Sequence, residues 1–180
     1  GIFLGVRKPP EDAVLFLGSS SIRMWATLAA DMAPIPVINR GFGGSQIIDS
    51  IVFAPRIVFP YKPRAIVFYA GDNDIAANKT PGEVFADFQR FVETVRGALP
   101  KTPIYYISIK PSPSRWAMWP AMQTANRLIA HECARDTLLY YLDCASPMLN
   151  SDGSPRNEIF LDDMLHMNAA GYRLWTEVVK

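Results

Sequence analysis

The sequence predicts a single domain of the three-layer α/β/α class, in which a five-stranded parallel sheet lies between two layers of helices. The length of 180 residues and the 49% hydrophobic content suit one domain, residues 1–180, with a sizeable core. Five short apolar runs are continuous rather than alternating, which is typical of strands covered on both faces. Helical patterns separate these runs, and strands that alternate with helices predict right-handed parallel crossovers. The predicted strands cover residues 13–18, 36–39, 64–71, 103–110 and 138–143.

The clearest predicted helix begins after Thr80. Its N-cap is Thr80, its first-turn proline is Pro81, and the acid of its capping box is Glu83. Apolar residues then recur at helical spacing as far as Leu99. Four further helices are predicted over about residues 22–32, 46–58, 118–136 and 168–179. Pro55 should end or kink the helix predicted over residues 46–58, because proline lacks an N–H donor.

The charge and cysteine content argue against several classes of protein. With 18 basic and 17 acidic side chains and no long run of like charge, the chain lacks the patch that binds nucleic acid or an anionic membrane. No apolar run approaches the roughly 20 residues that span a bilayer, so a soluble protein is expected. Cys133 and Cys144 are expected to be buried free thiols. Because the chain opens on Gly1, the sequence does not distinguish a cytoplasmic protein from a secreted one whose leader has been removed. The sequence does not predict the oligomeric state either.

Polar and glycine-rich segments follow the strands at the positions where parallel sheets bind ligands. Open α/β sheets bind ligands outside the carboxyl ends of their strands. The first three predicted strands are followed by GSSS, NRGFGGS and GDND, and LDDMLHMN precedes the last helix. The sequence therefore predicts that these four polar segments, residues 18–21, 39–45, 71–74 and 161–168, meet at one edge of the sheet.

The serines that follow the first strand admit two interpretations. They could cap a helix, since serine is a preferred N-cap residue, or one could be a nucleophile. A nucleophile needs a base, and of the two histidines His131 lies within a predicted helix, where a surface or packing role is expected. His166 follows Asp163 by three residues, a spacing that lets the carboxylate hold the imidazole. Glycine N–H groups of NRGFGGS and the Asn73 amide would donate to an oxyanion, although each segment alone also fits an ordinary turn.

Together and in this order, the four polar segments resemble the sequence blocks of the SGNH hydrolases, also called the GDSL esterase/lipase family. FLGSSSIRMW resembles the block that carries the nucleophile, and Ser20 occupies the matching position. NRGFGGSQ and GDND resemble the next two blocks, with Gly44 and Asn73 at the oxyanion-hole positions. DDMLHMNAAGYRLW resembles the last block, with Asp163 and His166 as the acid and the base.

The resemblance covers nearly the whole chain and implies a flavodoxin-like fold. It also implies hydrolysis of carboxylic esters through an acyl-enzyme, without a metal or an organic cofactor. The bacterial group similar to platelet-activating-factor acetylhydrolase catalytic subunits fits best, since SIKPSPSRW follows its pattern. The oxyanion would be held by the N–H groups of Ser20 and Gly44 and by the Asn73 amide. The family's aspartate before the nucleophile is Ser19 here, which should alter support of the turn, and Ser21 is expected to cap the helix.

The expected partner is a small-molecule ester, preferably one with a short acyl group such as acetyl. Arg115, Trp116 and Trp119 follow the fourth predicted strand and are candidates to line the substrate pocket. For the tryptophans, packing beneath a loop is an equally good explanation. Acetylated sugars, lipid esters and thioesters are all compatible with the sequence.

Two other functions stay open at this point. One is a metal-dependent phosphohydrolase, with Asp72, Asp74, Asp162 and Asp163 as hard oxygen ligands. The other is a non-catalytic carbohydrate- or nucleotide-binding module that holds an anion at the GFGGS turn. That module would lack a full G-x-G-x-x-G motif and would leave the pairing of Asp163 with His166 unexplained.

Overall fold

A computed structural model describes residues 10–180 of the chain. Its five strands are β1 (Val14–Gly18), β2 (Val37–Gly41), β3 (Ala65–Tyr69), β4 (Ile104–Ile107) and β5 (Leu139–Leu142). All neighbouring strands pair in parallel, in the order β2-β1-β3-β4-β5. This is the order of the flavodoxin-like fold, and it confirms the predicted class.

The α-helices that connect and flank the strands agree largely with the predicted ones. Thr80 and Glu83 form the predicted capping box, because each side chain accepts the backbone N–H of the other residue at 3.1 Å. Pro55 lies inside the helix predicted over residues 46–58, which ends shortly afterwards at Ile57. The helices of residues 10–180 are α1 (Ser20–Arg23), α2 (Leu28–Met32), α3 (Ile47–Ile57), α4 (Asp72–Ala76), α5 (Pro81–Ala98), α6 (Trp119–Ala134) and α7 (Ala169–Val179).

Alternate residues of the central strands face opposite helical layers. Leu15 and Leu17 of β1 belong to a core cluster shared with α3, α5 and α6. Phe16, between them, belongs to a second cluster shared with α1, α2 and α7. On the first face, Phe68 of β3 stacks on Phe91 of α5, with ring centroids 4.0 Å apart. Both faces of the sheet are therefore buried, which explains why the apolar runs are continuous.

Residues 22–32 form parts of two short helices rather than the one helix predicted. The chain turns around Trp25, which is 1% exposed. The Trp25 ring packs edge-on against Phe16 and Trp175, and its indole N–H donates to Asp31 at 2.8 Å. Burying this large side chain beside the sheet outweighs the helix propensity of the segment.

The fourth strand ends before residues 108–110, which are nevertheless buried. The Asn126 side chain of α6 takes over the hydrogen bonding there. It accepts the Ile109 N–H at 2.8 Å and donates to the Ile109 carbonyl at 3.1 Å. An amide side chain thus replaces a neighbouring strand, and the chain leaves the sheet with Lys110 at its carboxyl edge.

Two further predictions concern membranes and thiols. Across residues 10–180, no helix is both long enough and apolar enough to cross a membrane. Cys133 and Cys144 are both buried and free, as predicted.

Candidate active site

The first strand ends in a tight turn that brings Ser20 to the carboxyl edge of the sheet. Gly18 has a φ of 142°, and a Cβ at this position would lie 1.9 Å from the Tyr69 carbonyl oxygen of β3. Glycine is therefore required where the two strands approach. The Ser19 N–H donates to the same carbonyl at 3.1 Å. Ser20 then begins α1, so its own N–H has no acceptor within the helix.

Ser20, His166 and Asp163 form one continuous hydrogen-bonded chain. Ser20 Oγ lies 2.9 Å from His166 Nε2, and His166 Nδ1 lies 2.6 Å from Asp163 Oδ2. The hydrogen bond from His166 lowers the pKa of the Asp163 carboxyl to about 2, so this group is ionised and acts only as an acceptor. Nδ1–H therefore donates to Asp163, and Nε2 is the ring nitrogen that faces the serine hydroxyl.

The segment that carries Asp163 and His166 is stabilised by hydrogen bonds within the segment rather than by pairing with the sheet. The N–H groups of Leu165 and His166 donate to Asp163 Oδ1 at 3.0 and 2.9 Å. Met164 has a φ of 54°, and its carbonyl accepts the Ser114 N–H at 3.0 Å. The acid and the base thus form one compact unit that is tied to the loop after β4.

Gly44 and Asn73 line the same cavity as Ser20 and His166. This cavity has a volume of about 360 Å³. Gly44 has a φ of 71°, and open space surrounds the position that a Cβ would take. Asn73 lies in the first turn of α4, and its Nδ2 donates to the Ser45 carbonyl at 2.9 Å. The structure therefore brings the predicted oxyanion-hole residues and the predicted nucleophile to one place.

A buried cluster of charged groups surrounds Asp72 at the wall of the cavity. Asp72 Oδ2 accepts from Lys110 Nζ at 2.7 Å and from the Tyr69 hydroxyl at 2.9 Å. Asp72 Oδ1 accepts from Arg115 Nη1 at 2.6 Å. Burial by itself would raise the pKa of Asp72, but the positive charges of Lys110 and Arg115 outweigh burial and lower it. Asp72 is therefore ionised and paired with two cations.

Several residues that line the cavity were missed by the sequence analysis, namely Arg23, Met24, Lys110 and Leu165. Lys110 carried a usable signal. It ends the apolar segment YISIK, and a lysine that follows a buried strand so closely needs a carboxylate partner. Arg23, Met24 and Leu165 follow no pattern that distinguishes them from ordinary helix or loop residues.

The three residues predicted to line a substrate pocket divide into two groups. Arg115 lines the cavity, whereas Trp116 and Trp119 do not. The two indoles stack on each other with ring centroids 6.2 Å apart, and both pack on the core cluster beneath α6. Apolar packing under the loop therefore accounts for both tryptophans, and neither faces the cavity.

Ser21 does not cap α1, contrary to the prediction. Its hydroxyl accepts a hydrogen bond from Lys110 Nζ at 3.1 Å, and α1 has no side-chain cap. Two other side chains support the turn. Asn39 donates from Nδ2 to the Ile22 carbonyl at 2.8 Å, and the Tyr172 hydroxyl donates to the Ser21 carbonyl at 2.7 Å.

The four carboxylates considered for a metal site point to different partners. Asp72 is paired with cations, Asp163 bonds to the imidazole of the candidate base, and Asp74 Oδ2 accepts the Ile47 N–H at 3.2 Å. Asp162 is exposed. Within the described part of the chain, no three potential ligand residues group together to hold a metal ion. The phosphohydrolase alternative therefore lacks a ligand set in residues 10–180.

Several solved structures share the fold. A Streptococcus pneumonia protein provisionally described as a platelet activating factor superposes with a TM-score of 0.84 at 18% identity, covering 94% of this chain and 83% of its own. A GDSL-like lipase from Bacteroides thetaiotaomicron gives 0.78 at 21% identity, with 96% and 89% covered. A catalytic variant of an acetylxylan esterase from Geobacillus stearothermophilus gives 0.77 at 15% identity, with 96% and 94% covered. At these identities the likeness is one of fold.

The family is shown by the sequence. No curated protein matches the chain. In contrast, the GDSL-like Lipase/Acylhydrolase family matches residues 10–174, a range that includes all four polar segments. The chain therefore belongs to the GDSL-like lipase/acylhydrolase family and is a carboxylic ester hydrolase.

Proposed function

We propose that the protein hydrolyses small esters with short acyl groups, such as acetyl, through a serine acyl-enzyme. The observation that carries this proposal is the continuous chain from Ser20 Oγ through His166 to Asp163, with separations of 2.9 and 2.6 Å. A nucleophile, a base and a group that orients the base are the minimum set for this chemistry.

The proposed reaction has two halves. Ser20 Oγ attacks the ester carbonyl carbon while its proton passes to His166 Nε2, and Asp163 stabilises the imidazolium that forms. When the tetrahedral intermediate collapses, His166 gives the proton to the leaving alkoxide, which departs as the alcohol. Water then attacks the acyl-enzyme, with His166 first accepting a proton from the water and then returning one to Ser20. The products are the carboxylic acid and the free enzyme.

The proposed oxyanion hole consists of three donors, the backbone N–H groups of Ser20 and Gly44 and the Nδ2 of Asn73. Their placement around one cavity supports this assignment. A donor aimed at the developing oxyanion contributes about 3 kcal/mol to the lowering of the barrier. The donors act only when charge moves onto the carbonyl oxygen, so their loss should affect kcat more than KM.

The preference for short acyl groups rests on the size and chemistry of the cavity. About 360 Å³ is at the small end of the roughly 300–1,000 Å³ range of ligand pockets. Most of its lining is hydroxyl, glycine, amide or charged side chain, and Met24 and Leu165 supply the long apolar contacts. A long acyl chain would need a more extended apolar wall. An acetylxylan esterase with the same fold supports the acetyl group as the first candidate.

A series of p-nitrophenyl esters tests the acyl preference. We expect kcat/KM for the acetate to exceed that for the octanoate by at least about 10-fold, because extra methylene groups find no apolar contacts in the cavity. A kcat/KM that rises steadily from acetate to octanoate would contradict the proposal for a short acyl group.

Labelling and substitution test the nucleophile. A fluorophosphonate should form one adduct, on Ser20, and Ser20→Ala and His166→Ala should each lower kcat by at least about 10³-fold. Ser50→Ala is the matched control, since Ser50 is buried in α3 and does not line the cavity. An adduct on Ser19 or Ser21, or full turnover by either variant, would refute the assignment.

A further inference from the structure

Asn73 Nδ2 serves as an oxyanion donor only if the carboxamide is turned the right way. An amide side chain has two orientations of nearly equal shape, and rotation by half a turn exchanges its donor and its acceptor. One orientation presents an N–H to the cavity, and the other presents a carbonyl oxygen, which would repel an oxyanion. Neighbouring groups must therefore favour the orientation that presents the N–H to the cavity.

The contacts of Asn73 make that choice. Its Oδ1 accepts a hydrogen bond from Arg115 Nη1 at 3.1 Å, and its Nδ2 donates to the Ser45 carbonyl at 2.9 Å. In the opposite orientation Nδ2 would face a guanidinium, which only donates, and Oδ1 would face a carbonyl, which only accepts. Both hydrogen bonds would be lost together. Nδ2 has two hydrogens, so one is left for a ligand oxygen after Ser45 is satisfied.

Arg115 is itself fixed in place. The same Nη1 that contacts Asn73 also donates to Asp72 Oδ1 at 2.6 Å. Asp72 has a side chain that is 4% exposed, and Lys110, whose side chain is 2% exposed, contacts its other oxygen at 2.7 Å. The Arg115 side chain is 20% exposed, so it closes the cluster toward the cavity.

The cluster also connects the ends of three strands at the edge of the cavity. Lys110 follows β4, Asp72 and Asn73 follow β3, and Lys110 Nζ reaches Ser21, next to the proposed nucleophile, at 3.1 Å.

We propose that Arg115, held by the Asp72–Lys110 ion pair, is a positioning residue that sets the orientation of the Asn73 carboxamide for oxyanion binding. The proposal rests on the function proposed above, in which Asn73 is an oxyanion donor. Arg115 acts through Asn73 and does not bind the substrate. Its removal should therefore slow the chemical step and leave substrate binding unchanged.

The test is a double-mutant cycle with p-nitrophenyl acetate as the substrate. Arg115→Met should lower kcat by about 10- to 100-fold while KM changes by less than about 3-fold. In the Asn73→Ala background, the same substitution should have almost no further effect on kcat, because there is no carboxamide left to orient. Arg115→Lys, which retains a positively charged donor group, should recover part of the lost kcat. Urea unfolding of each variant monitors whether the fold is intact.

Arg23→Met is the matched control. Arg23 lines the same cavity, but within residues 10–180 it makes no hydrogen bond to Asn73. Removing its charge should change kcat by the same factor with and without Asn73. This comparison separates a general effect of positive charge from an effect that passes through the carboxamide.

Three results would overturn the proposal. One is an Arg115→Met variant that lowers kcat by the same factor in the wild type and in Asn73→Ala. A second is a rise in KM alone, which would make Arg115 a substrate-binding residue. Both leave the serine mechanism intact. Full activity of Asn73→Ala is the third, and it would also remove Asn73 from the oxyanion hole of the proposed function.

Discussion

Replacement of Asp74 by asparagine should make the protein more stable relative to the wild type as the pH rises. Asp74 is fully buried next to Asn73. Its Oδ2 accepts the Ile47 N–H at 3.2 Å, whereas its Oδ1 has no hydrogen-bond partner in residues 10–180. Burial raises the pKa of this carboxyl from its ordinary value of 3.8 to about 6. The substitution keeps the shape of the side chain and removes its ionisation.

The magnitude and the sign follow from the two pKa values. Between pH 3.8 and about 6, the unfolded chain has lost the Asp74 proton while the folded protein still holds it. A rise in pH therefore favours unfolding, by about 1.4 kcal/mol for each pH unit. Over about two pH units the wild type loses about 3 kcal/mol, and above about pH 6 the loss is constant. Asparagine does not ionise, so the free energy of unfolding of Asp74→Asn does not fall in this way.

Urea unfolding at several pH values measures the effect. The free energy of unfolding of Asp74→Asn minus that of the wild type should grow by between about 2 and 3 kcal/mol from about pH 4 to pH 7. Asp152→Asn is the control, because Asp152 is exposed and hydrogen bonds from Ser154 lower its pKa. For this control the difference should stay flat or fall slightly. A flat difference for Asp74→Asn would refute the argument that burial keeps Asp74 protonated.

Three further predictions concern the base, the turn after β1 and the thiols. Asp163→Asn should lower kcat by about 10³- to 10⁴-fold with the fold intact, since the amide no longer fixes the Nδ1–H tautomer; an unchanged kcat would contradict this. Gly18→Ala should lower the free energy of unfolding in urea by more than about 3 kcal/mol, whereas Gly97→Ala, whose Cβ meets nothing within 4 Å, should not destabilise the protein. Equal effects of the two substitutions would disprove the steric argument. Burial raises the pKa of Cys133 to about 12 and raises that of Cys144 further, so neither thiol should react with dithiobis(nitrobenzoate) before unfolding; rapid labelling of the native protein would show otherwise.

The sheet was predictable because its strands are buried on both faces. Burial on both faces leaves a continuous apolar run in the sequence, and β3, from Ala65 to Tyr69, is buried at every position. The candidate site was predictable in outline for a related reason. Parallel strands end at one edge, so the polar segments that follow them meet in space. Ser20, Gly44 and Asn73 reach one cavity in this way, whereas His166, 146 residues from Ser20, reaches it on the segment before α7.

The parts that were missed depend on partners far away in the chain. Lys110 meets Asp72 and Ser21, which lie 38 and 89 positions earlier. Its place after a buried strand indicates that it needs a carboxylate partner, but no local pattern identifies which residues it meets. The role of Ser21 was predicted wrongly for this reason. The helix predicted over residues 22–32 is interrupted because Trp25 must reach the second core cluster, a requirement that helical periodicity does not express.

The hydrogen bond between the Ser114 N–H and the Met164 carbonyl limits how the cavity of this protein can be reshaped. It links the loop that carries Arg115, at the border of the cavity, to the segment that carries the proposed proton acceptor, His166. Insertions or deletions in residues 111–118 would thus displace the proposed proton acceptor together with the wall of the cavity.

The wall at Gly43 and Gly44 is tied in a similar way. The Phe42 N–H donates to the Gly18 carbonyl at 2.8 Å, and the Ser45 carbonyl accepts from Asn73 Nδ2 at 2.9 Å. Changes in this wall would therefore displace the turn before Ser20 and the proposed oxyanion donor.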